Sequence, residues 1–324
     1  TLSLMKRTIF YSSFIFLFIL TACGNTKTSK IPQENKSTNT KSEVLITEFP
    51  YPEIPIIYTQ AEDRGKFLSE HYWDNLNFGD SSVQYNQDMI EQSWVNWIDL
   101  MQQFNPKRED YTSLLKNFYT QLDTLDSTAF RQFYELADKY LYFANSPLRN
   151  DKLYIPICEV LLASKNLSDT EKEHINFIYE VIQKNNEGEK VQDFTFTTLT
   201  GKKGQLSQVQ SNKYILLFFN DPSCNVCAHT VEVLKESPLV NKLIQNKILQ
   251  IVSINPEDNF EEWKEHSKDF PKEWISGYDK DLTITLNRLY DLRATPSLYL
   301  LDKDKKVILK DKALEEILAT LEQI

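Results

Sequence analysis

Residues 214–227 read YILLFFNDPSCNVC, a strand-like run followed at once by two cysteines. The five residues 215–219 are all apolar or aromatic, which is typical of a strand that a sheet buries on both faces. The NDPS segment then predicts a turn, and apolar residues at helical spacing follow it. This stretch therefore predicts a strand, a turn and a helix, with Cys224 at the helix N-terminus and Cys227 one turn further on.

Two cysteines in this arrangement predict a redox-active dithiol. The unpaired N–H groups and the dipole of a helix N-terminus favour a thiolate at Cys224, and Cys227 is placed to form a disulfide with it. A structural disulfide is the first alternative, although closing a four-residue loop stabilises a fold little. A copper carrier that uses both thiols and a histidine is the second. Haem attachment requires a histidine directly after Cys227, and Ala228 stands there.

The composition of the chain argues against several classes of function. The chain has 324 residues, enough for two domains. Its net charge of −10 argues against nucleic-acid binding, which calls for basic patches. The chain contains only seven glycines, and this low content argues against a glycine-rich nucleotide-binding loop. No cofactor and no metal are expected, since one cysteine pair and a stray histidine supply too few zinc ligands.

The N-terminus resembles that of a bacterial lipoprotein. Lys6 and Arg7 form a short positive region, and the apolar stretch 9–20 ends in LTAC, with Cys23 last. The stretch is too short to span a bilayer comfortably and fits a signal peptide. The resemblance implies a signal peptide over residues 1–23, lipidation of Cys23, and an extracytoplasmic, membrane-anchored protein that faces the periplasm.

The mature chain divides into three segments by pattern. Residues 24–58 read as a polar tether and a proline-rich extended linker. Residues 59–186 have helical periodicity throughout and predict an all-α domain of five or six helices. Residues 187–324 alternate strand and helix patterns, which predicts an α/β domain with a partly parallel sheet. The fold class is therefore α+β with two domains.

Short sequence patterns predict the starts of two helices and two further elements. Ser127 is a candidate N-cap, and the pair formed by Ser168 and Glu171 has the spacing of a capping box. Residues 201–204 mark a hairpin, and residues 281–290 read as a helix.

Several chemistry-bearing residues have a structural interpretation that we favour. Cys158 lies on an apolar helix face and is expected to be a buried, inert thiol. His71 and Asp74 suggest a helix–helix junction rather than a metal site, and His229 a solvated helix residue. Asp221 precedes a proline and is expected to shape the turn, the alternative being a direct action on the dithiol. An aromatic stripe at helical spacing is interpreted as core rather than as a glycan or peptide groove; it comprises Trp73, Trp94 and Trp97.

The segment RATPSLYLLD at residues 293–302 completes the pattern, because Thr295-Pro296 opens a strand and X-Pro is the linkage at which a cis peptide costs little. Together with the strand, dithiol and helix upstream, it resembles the thioredoxin-like superfamily, and more narrowly the TlpA/ResA-like membrane-tethered oxidoreductases. The resemblance implies that Thr295 and Pro296 face the dithiol and position an extended substrate.

The helical half carries a second resemblance. The motifs HYWD at 71–74 and NSPLRN at 145–150 look like those of a helical domain of unknown function that precedes thioredoxin-like domains in Bacteroidetes lipoproteins. The motif WISGYD at 274–279 fits the same architecture.

Two departures bear on the chemistry. Phe218 stands where thioredoxins bury a proton-relaying aspartate, and Asn225-Val226 is neither the Gly-Pro nor the Pro-His dipeptide of well-known family members. The resemblance still implies a thiol–disulfide oxidoreductase, with protein disulfides or dithiols as substrates and an upstream membrane electron donor as partner. The competing hypothesis is a non-catalytic scaffolding lipoprotein that uses the thioredoxin fold as a platform.

Overall fold

Helices dominate the first part of the chain and a mixed sheet dominates the second in the computed structural model, which describes residues 44–80, 83–105 and 107–323. Residues 1–43, with the predicted signal peptide, Cys23 and most of the tether, lie outside the described residues. The predicted α+β fold class is confirmed: a helical N-terminal region precedes an α/β domain built on a mixed sheet.

The described N-terminal part contains six α-helices, and a π-helical turn at Asp138–Tyr142 extends the fourth. It also contains two short strands, β1 and β2, which pair in parallel. Only β2 lies within residues 59–186, which the sequence predicts to be helical, and a three-residue strand leaves no readable alternation in a sequence. In chain order the elements are β1 (Val44–Ile46), α1 (Ala61–Glu70), β2 (Val83–Tyr85), α2 (Gln87–Phe104), α3 (Arg108–Leu125), α4 (Ser127–Ala137), α5 (Asp151–Ala163) and α6 (Asp169–Ile182).

The boundaries of α4 and α6 follow from their caps. Ser168 and Glu171 form the predicted capping box at the start of α6. The predicted N-cap at Ser127 is wrong by one residue. Asp126 is the N-cap of α4, and its carboxylate accepts the backbone N–H groups of Thr128 and Ala129 at 2.6 and 3.2 Å. Aspartate and serine are comparable caps, so the local sequence does not decide between adjacent candidates.

An aromatic cluster forms the core of the helical half, as predicted. Trp94 and Trp97 are buried on α2. Trp73 stacks on Phe118 with ring centroids 5.0 Å apart and meets Phe133 edge-on at 5.2 Å. Offset and edge-to-face contacts of this kind stabilise a core beyond the burial of area alone. The aromatic stripe is therefore packing rather than a groove.

The C-terminal part is built on a seven-stranded mixed sheet with the strand order β4-β3-β7-β6-β5-β8-β9. Its strands are β3 (Thr195–Thr198), β4 (Lys203–Gln205), β5 (Tyr214–Phe219), β6 (Leu249–Asn255), β7 (Ile275–Tyr278), β8 (Ser297–Asp302) and β9 (Val307–Leu309). Its helices are α7 (Asn225–Glu236), α8 (Pro238–Gln245), α9 (Phe260–His266), α10 (Thr283–Leu286) and α11 (Leu314–Glu322).

Strand β5 lies at the centre of this sheet, parallel to β6 and antiparallel to β8. Its side chains alternate between two apolar clusters, with Leu217 and Phe219 in one and Leu216 and Phe218 in the other. This is why the run of apolar residues that opens the sequence shows no polar alternation.

Three expectations for the sheet region differ from the structure. The predicted helix at residues 281–290 is a single turn, α10, because Leu282 and Arg288 on either side of it adopt left-handed backbone conformations. The sequence did not reveal β7, which is four residues long and contains Gly277, nor α8, which follows α7 after Ser237 alone.

The two parts keep separate hydrophobic cores. All buried members of the helical core lie between Tyr72 and Ile182, and those of the two sheet cores lie between Val191 and Leu321. The described residues nevertheless form one compact unit. Within them, no helix combines the length and the apolar character needed to cross a membrane.

Candidate active site

Cys224 lies at the N-terminus of α7, as the sequence predicts. It is the N-cap residue, and its Sγ accepts the backbone N–H of Cys227 at 3.2 Å. The thiol of Cys224 is partly exposed and that of Cys227 is fully buried, and both are free thiols in the structure. An incoming disulfide therefore meets Cys224 first.

The pKa values of the two thiols are shifted in opposite directions. Burial by itself would raise the pKa of Cys224, but hydrogen bonds from Cys227, from Thr295 and from the backbone N–H of Val226 outweigh it, so the pKa is lowered from 9.0. Burial raises the pKa of Cys227 to about 12, and its hydrogen bond to Cys224 acts in the same direction. The pair is thus divided into an outer nucleophile and an inner thiol that stays protonated at neutral pH.

The Thr295-Pro296 segment faces this pair. The peptide bond between these residues is cis, and the Thr295 carbonyl oxygen lies 3.4 Å from Cys224 Sγ. The register of the sheet explains the meeting, since Phe219 at the end of β5 pairs with Ser297 at the start of β8. The turn after β5 and the loop before β8 therefore end at the same edge of the sheet.

The turn before Cys224 is held by Asp221. Its carboxylate accepts the backbone N–H and the hydroxyl of Ser223, each at 2.9 Å, and its carbonyl accepts the N–H of Cys224 at 3.1 Å. The side-chain amide of Asn259, the residue before α9, donates to the same carboxylate at 3.3 Å. This is the turn-shaping role that the sequence suggested.

Behind the dithiol the environment is apolar. Phe218 is fully buried in the same cluster as Cys227, so no carboxylate occupies the place where thioredoxins have one. Asn220, directly after β5, is a buried polar residue, and its amide donates to Ser253 Oγ at 2.5 Å. The high pKa of Cys227 is the physical consequence of this apolar surrounding.

The other candidates do not join the site. Cys158 is fully buried in the helical core, and His229 is exposed with Glu232 at 4.0 Å. His71 and Asp74 pair with each other at 2.7 Å. Among the described residues no three His, Cys, Asp or Glu side chains form a group that could hold a metal ion.

One residue next to the site was missed. Arg293 lies two positions before Thr295, and its side chain is only 7% exposed. The sequence does contain a signal for it: Arg293 is a charged residue close to the Thr-Pro dipeptide, in a segment that otherwise predicts a buried strand.

Comparison with known proteins covers both parts of the chain. Residues 22–185 match the domain of unknown function DUF5106, and residues 212–307 match the thioredoxin-like model Thioredoxin_8. None of the curated proteins matches the chain significantly.

Solved structures provide further relatives. A thioredoxin-like protein from Bacteroides caccae ATCC 43185 is 40% identical, with 86% of this chain and 99% of that chain covered and a TM-score of 0.78. The C-terminal domain of an uncharacterized protein from Bacteroides fragilis NCTC 9343 is 48% identical over 43% of this chain and 98% of that one, with a TM-score of 0.42. A domain of a possible thiol-disulfide isomerase from Cytophaga hutchinsonii ATCC 33406 is 26% identical over 43% and 93% of the two chains, with a TM-score of 0.36.

Both resemblances drawn from the motifs are thereby confirmed, the thioredoxin-like half and the helical domain of unknown function before it. The first model spans half of the chain, and the Bacteroides caccae protein is similar across both parts. The chain belongs to the thioredoxin-like proteins that carry a DUF5106 domain in their N-terminal half.

Proposed function

We propose that this protein is a membrane-anchored, extracytoplasmic thiol–disulfide oxidoreductase that reduces the disulfide bonds of other proteins. The observation that carries the proposal is the division between the two sulfurs of one pair. Cys224 is accessible with a lowered pKa, while Cys227 is buried with a raised pKa. A structural disulfide or a scaffold has no need of such a division.

The reaction begins at Cys224. Its thiolate attacks one sulfur of the substrate disulfide, a bond forms between that sulfur and Sγ, and the substrate S–S bond breaks. The second substrate sulfur leaves as a thiolate and takes up a proton. The Thr295 side chain and the backbone N–H of Cys227 stabilise the attacking thiolate, because both donate hydrogen bonds that favour the charged form of the sulfur.

Cys227 completes the cycle. Once the mixed disulfide has formed, Cys227 loses its proton and attacks Cys224 Sγ, which releases the first substrate sulfur as a thiol. Two electrons have then passed to the substrate, and the pair is a disulfide. The compartment outside the cytoplasm is oxidising, so the Cys224–Cys227 disulfide needs a reductant to become a dithiol again. A membrane dithiol donor supplies the two electrons and two protons.

The decisive test is insulin reduction by purified protein with dithiothreitol as the electron source. We expect the Cys224→Ala variant to fall to the rate of dithiothreitol alone. With dithiothreitol removed, the Cys227→Ala variant should accumulate a mixed disulfide with insulin that non-reducing gels detect. Cys158→Ala is the matched control, because it removes a thiol that lies outside the site. Wild-type-like insulin reduction by Cys224→Ala, or no reduction by the wild type, favours the scaffold instead.

The anchoring part of the proposal rests on the LTAC sequence ending at Cys23. More than one acyl chain on this residue gives stable anchoring to a membrane. Metabolic labelling with an alkyne fatty acid should mark the wild type and leave the Cys23→Ala variant unlabelled in the soluble fraction. Equal labelling of both variants contradicts it.

A further inference from the structure

The loop that faces the dithiol is held from outside its own domain, beginning with its N-terminal side. The Arg293 guanidinium donates to the Tyr142 carbonyl at 2.6 Å through Nη1 and to Asp151 Oδ1 at 2.9 Å through Nη2. Its carbon lies 3.9 Å from the centre of the Tyr142 ring. Tyr142 ends the π-helical turn and Asp151 begins α5, so both partners belong to the helical half.

The C-terminal side of the same loop is held in a similar way. The Ser297 hydroxyl donates to the Ala294 carbonyl at 3.0 Å, and the carboxylate of Asp311 is an alternative acceptor for the same proton. Asp311 forms an ion pair with Arg149 of the helical half, Nη1 to Oδ2, at 3.0 Å. Arg149 also donates to the Asp311 carbonyl through Nη2.

The carboxylate of Asp151 links Arg293 to Lys310, the residue before Asp311. Asp151 accepts Arg293 on one oxygen and Lys310 Nζ at 3.0 Å on the other. Lys310 also donates to the Ile182 carbonyl at the end of α6, at 2.7 Å. The side chains of Arg293 and Lys310 are 7% and 10% exposed, so salt screens these contacts little.

The path from these contacts to the reacting sulfur is short. Arg293 and Thr295 are separated by Ala294 alone, and the Thr295 carbonyl lies 3.4 Å from Cys224 Sγ. A guanidinium that is held by two separate acceptors and has an aromatic ring against its face has little freedom to shift. A displacement of Arg293 therefore moves the atoms of Thr295 that contact Cys224.

We propose that the helical half positions the loop that faces the redox site, an inference that rests on the proposed function. Tyr142, Asp151 and Arg149 position the Thr295-Pro296 loop against Cys224 through Arg293 and Asp311. Arg293 is a positioning residue, since it touches the loop and not the reacting sulfurs. The DUF5106 half thus sets the reactivity of a dithiol that the other half carries.

The test compares four variants of the full-length protein. Tyr142→Leu removes the ring against the guanidinium but keeps the backbone carbonyl, and Tyr142→Phe keeps both. Arg293→Lys keeps the charge but loses the forked donors. Arg131→Gln is the matched control, because Arg131 also binds a carboxylate and a backbone carbonyl, those of Glu171 and Asn166, within the helical half.

Two readouts are needed, the pH midpoint of Cys224 alkylation by iodoacetamide and the rate of insulin reduction. We expect Arg293→Lys and Tyr142→Leu to move the midpoint to higher pH, because a displaced loop weakens the hydrogen bond by which the Thr295 side chain favours the thiolate. The rate of insulin reduction should fall about three- to tenfold, because a misplaced loop orients the reacting sulfur less well. Tyr142→Phe and Arg131→Gln should match the wild type in both readouts.

Each other outcome contradicts the proposal. Unchanged midpoints in folded Tyr142→Leu and Arg293→Lys proteins show that the loop keeps its place without these contacts. Arg293 also donates to Asp291 of the sheet half through Nε at 2.9 Å. A shift in Arg293→Lys alone therefore shows that the Tyr142 ring does not hold the loop, and it assigns the positioning of Arg293 to this contact within the sheet half. Should Arg293→Lys fail to fold, Tyr142→Leu decides by itself. The alkylation midpoint remains informative even if the wild type reduces no insulin, so failure of the proposed function is recognised separately.

Discussion

The centre of the helical half and the sheet edge of the thioredoxin-like half each hold a cysteine, and the two thiols are chemically opposite. Cys158 on α5 is fully buried among apolar side chains, and burial raises its pKa far above the usual value. Cys224 is partly exposed, and hydrogen-bond donors lower its pKa in spite of partial burial. The residue type is the same, and only the surroundings differ.

This contrast shows what makes a thiol reactive in this protein. A helix interior has no free N–H groups to offer, because each is bonded within the helix. A helix N-terminus has several, and at Cys224 the N–H of Cys227 is one of them. The strand–turn–helix arrangement thus creates the reactive position, and the facing loop adds Thr295 to it.

The largest expected effect is on alkylation at pH 7. Cys224 should react with iodoacetamide more than about a thousandfold faster than Cys158 in the folded protein, since each unit of pKa difference is a factor of ten in thiolate fraction. The Cys224 rate should rise with pH and level off above a midpoint lower than 9.0. Mass spectrometry of pulse-labelled peptides measures both rates. Equal rates under native conditions contradict the contrast.

The next largest effect is on stability and concerns the aromatic core of the helical half. Phe133→Ala should cost about 3–5 kcal/mol of unfolding free energy, because a fully buried ring leaves a cavity. Leu125→Ala removes an exposed side chain and should cost less than about 1 kcal/mol. Denaturation followed by tryptophan fluorescence measures both. A small loss in Phe133→Ala means that this core is not packed as described.

A smaller effect distinguishes the two candidate caps of α4. Asp126→Ala should lower the unfolding free energy by about 1 kcal/mol, because two backbone N–H groups lose their acceptor. Ser127→Ala should stay within about 0.5 kcal/mol of the wild type. Chemical denaturation of both variants provides the comparison, and a larger loss in Ser127→Ala restores the cap predicted from the sequence.

The smallest effect concerns a single hydrogen bond at Cys224. Thr295→Val removes the hydroxyl and should move the alkylation midpoint of Cys224 to higher pH, because less of the thiolate is stabilised. One hydrogen bond contributes on the order of 1 kcal/mol. Thr295→Ser keeps the hydroxyl and should retain the wild-type midpoint. If the valine variant titrates like the wild type, the backbone N–H groups alone stabilise the sulfur.

Sequence patterns were reliable where they were long or chemically specific. The buried run of β5, the capping box of α6 and the helix start at Cys224 are all present as predicted. Short elements escaped detection. The helix expected at residues 281–290 is the single turn Thr283–Leu286, and the backbone leaves the helical conformation because Arg288 is left-handed, which no local sequence pattern predicts.

The sequence by itself determined the local chemistry: two cysteines after a buried strand, a Thr-Pro pair before another, and a helical half with an aromatic core. Each of these is encoded within a few neighbouring residues. The tertiary structure alone decided which sulfur is accessible and that Arg293 of the loop binds Tyr142 and Asp151 of the helical half. These contacts join residues more than a hundred positions apart, and the sheet register and helix packing that unite them are properties of the whole fold.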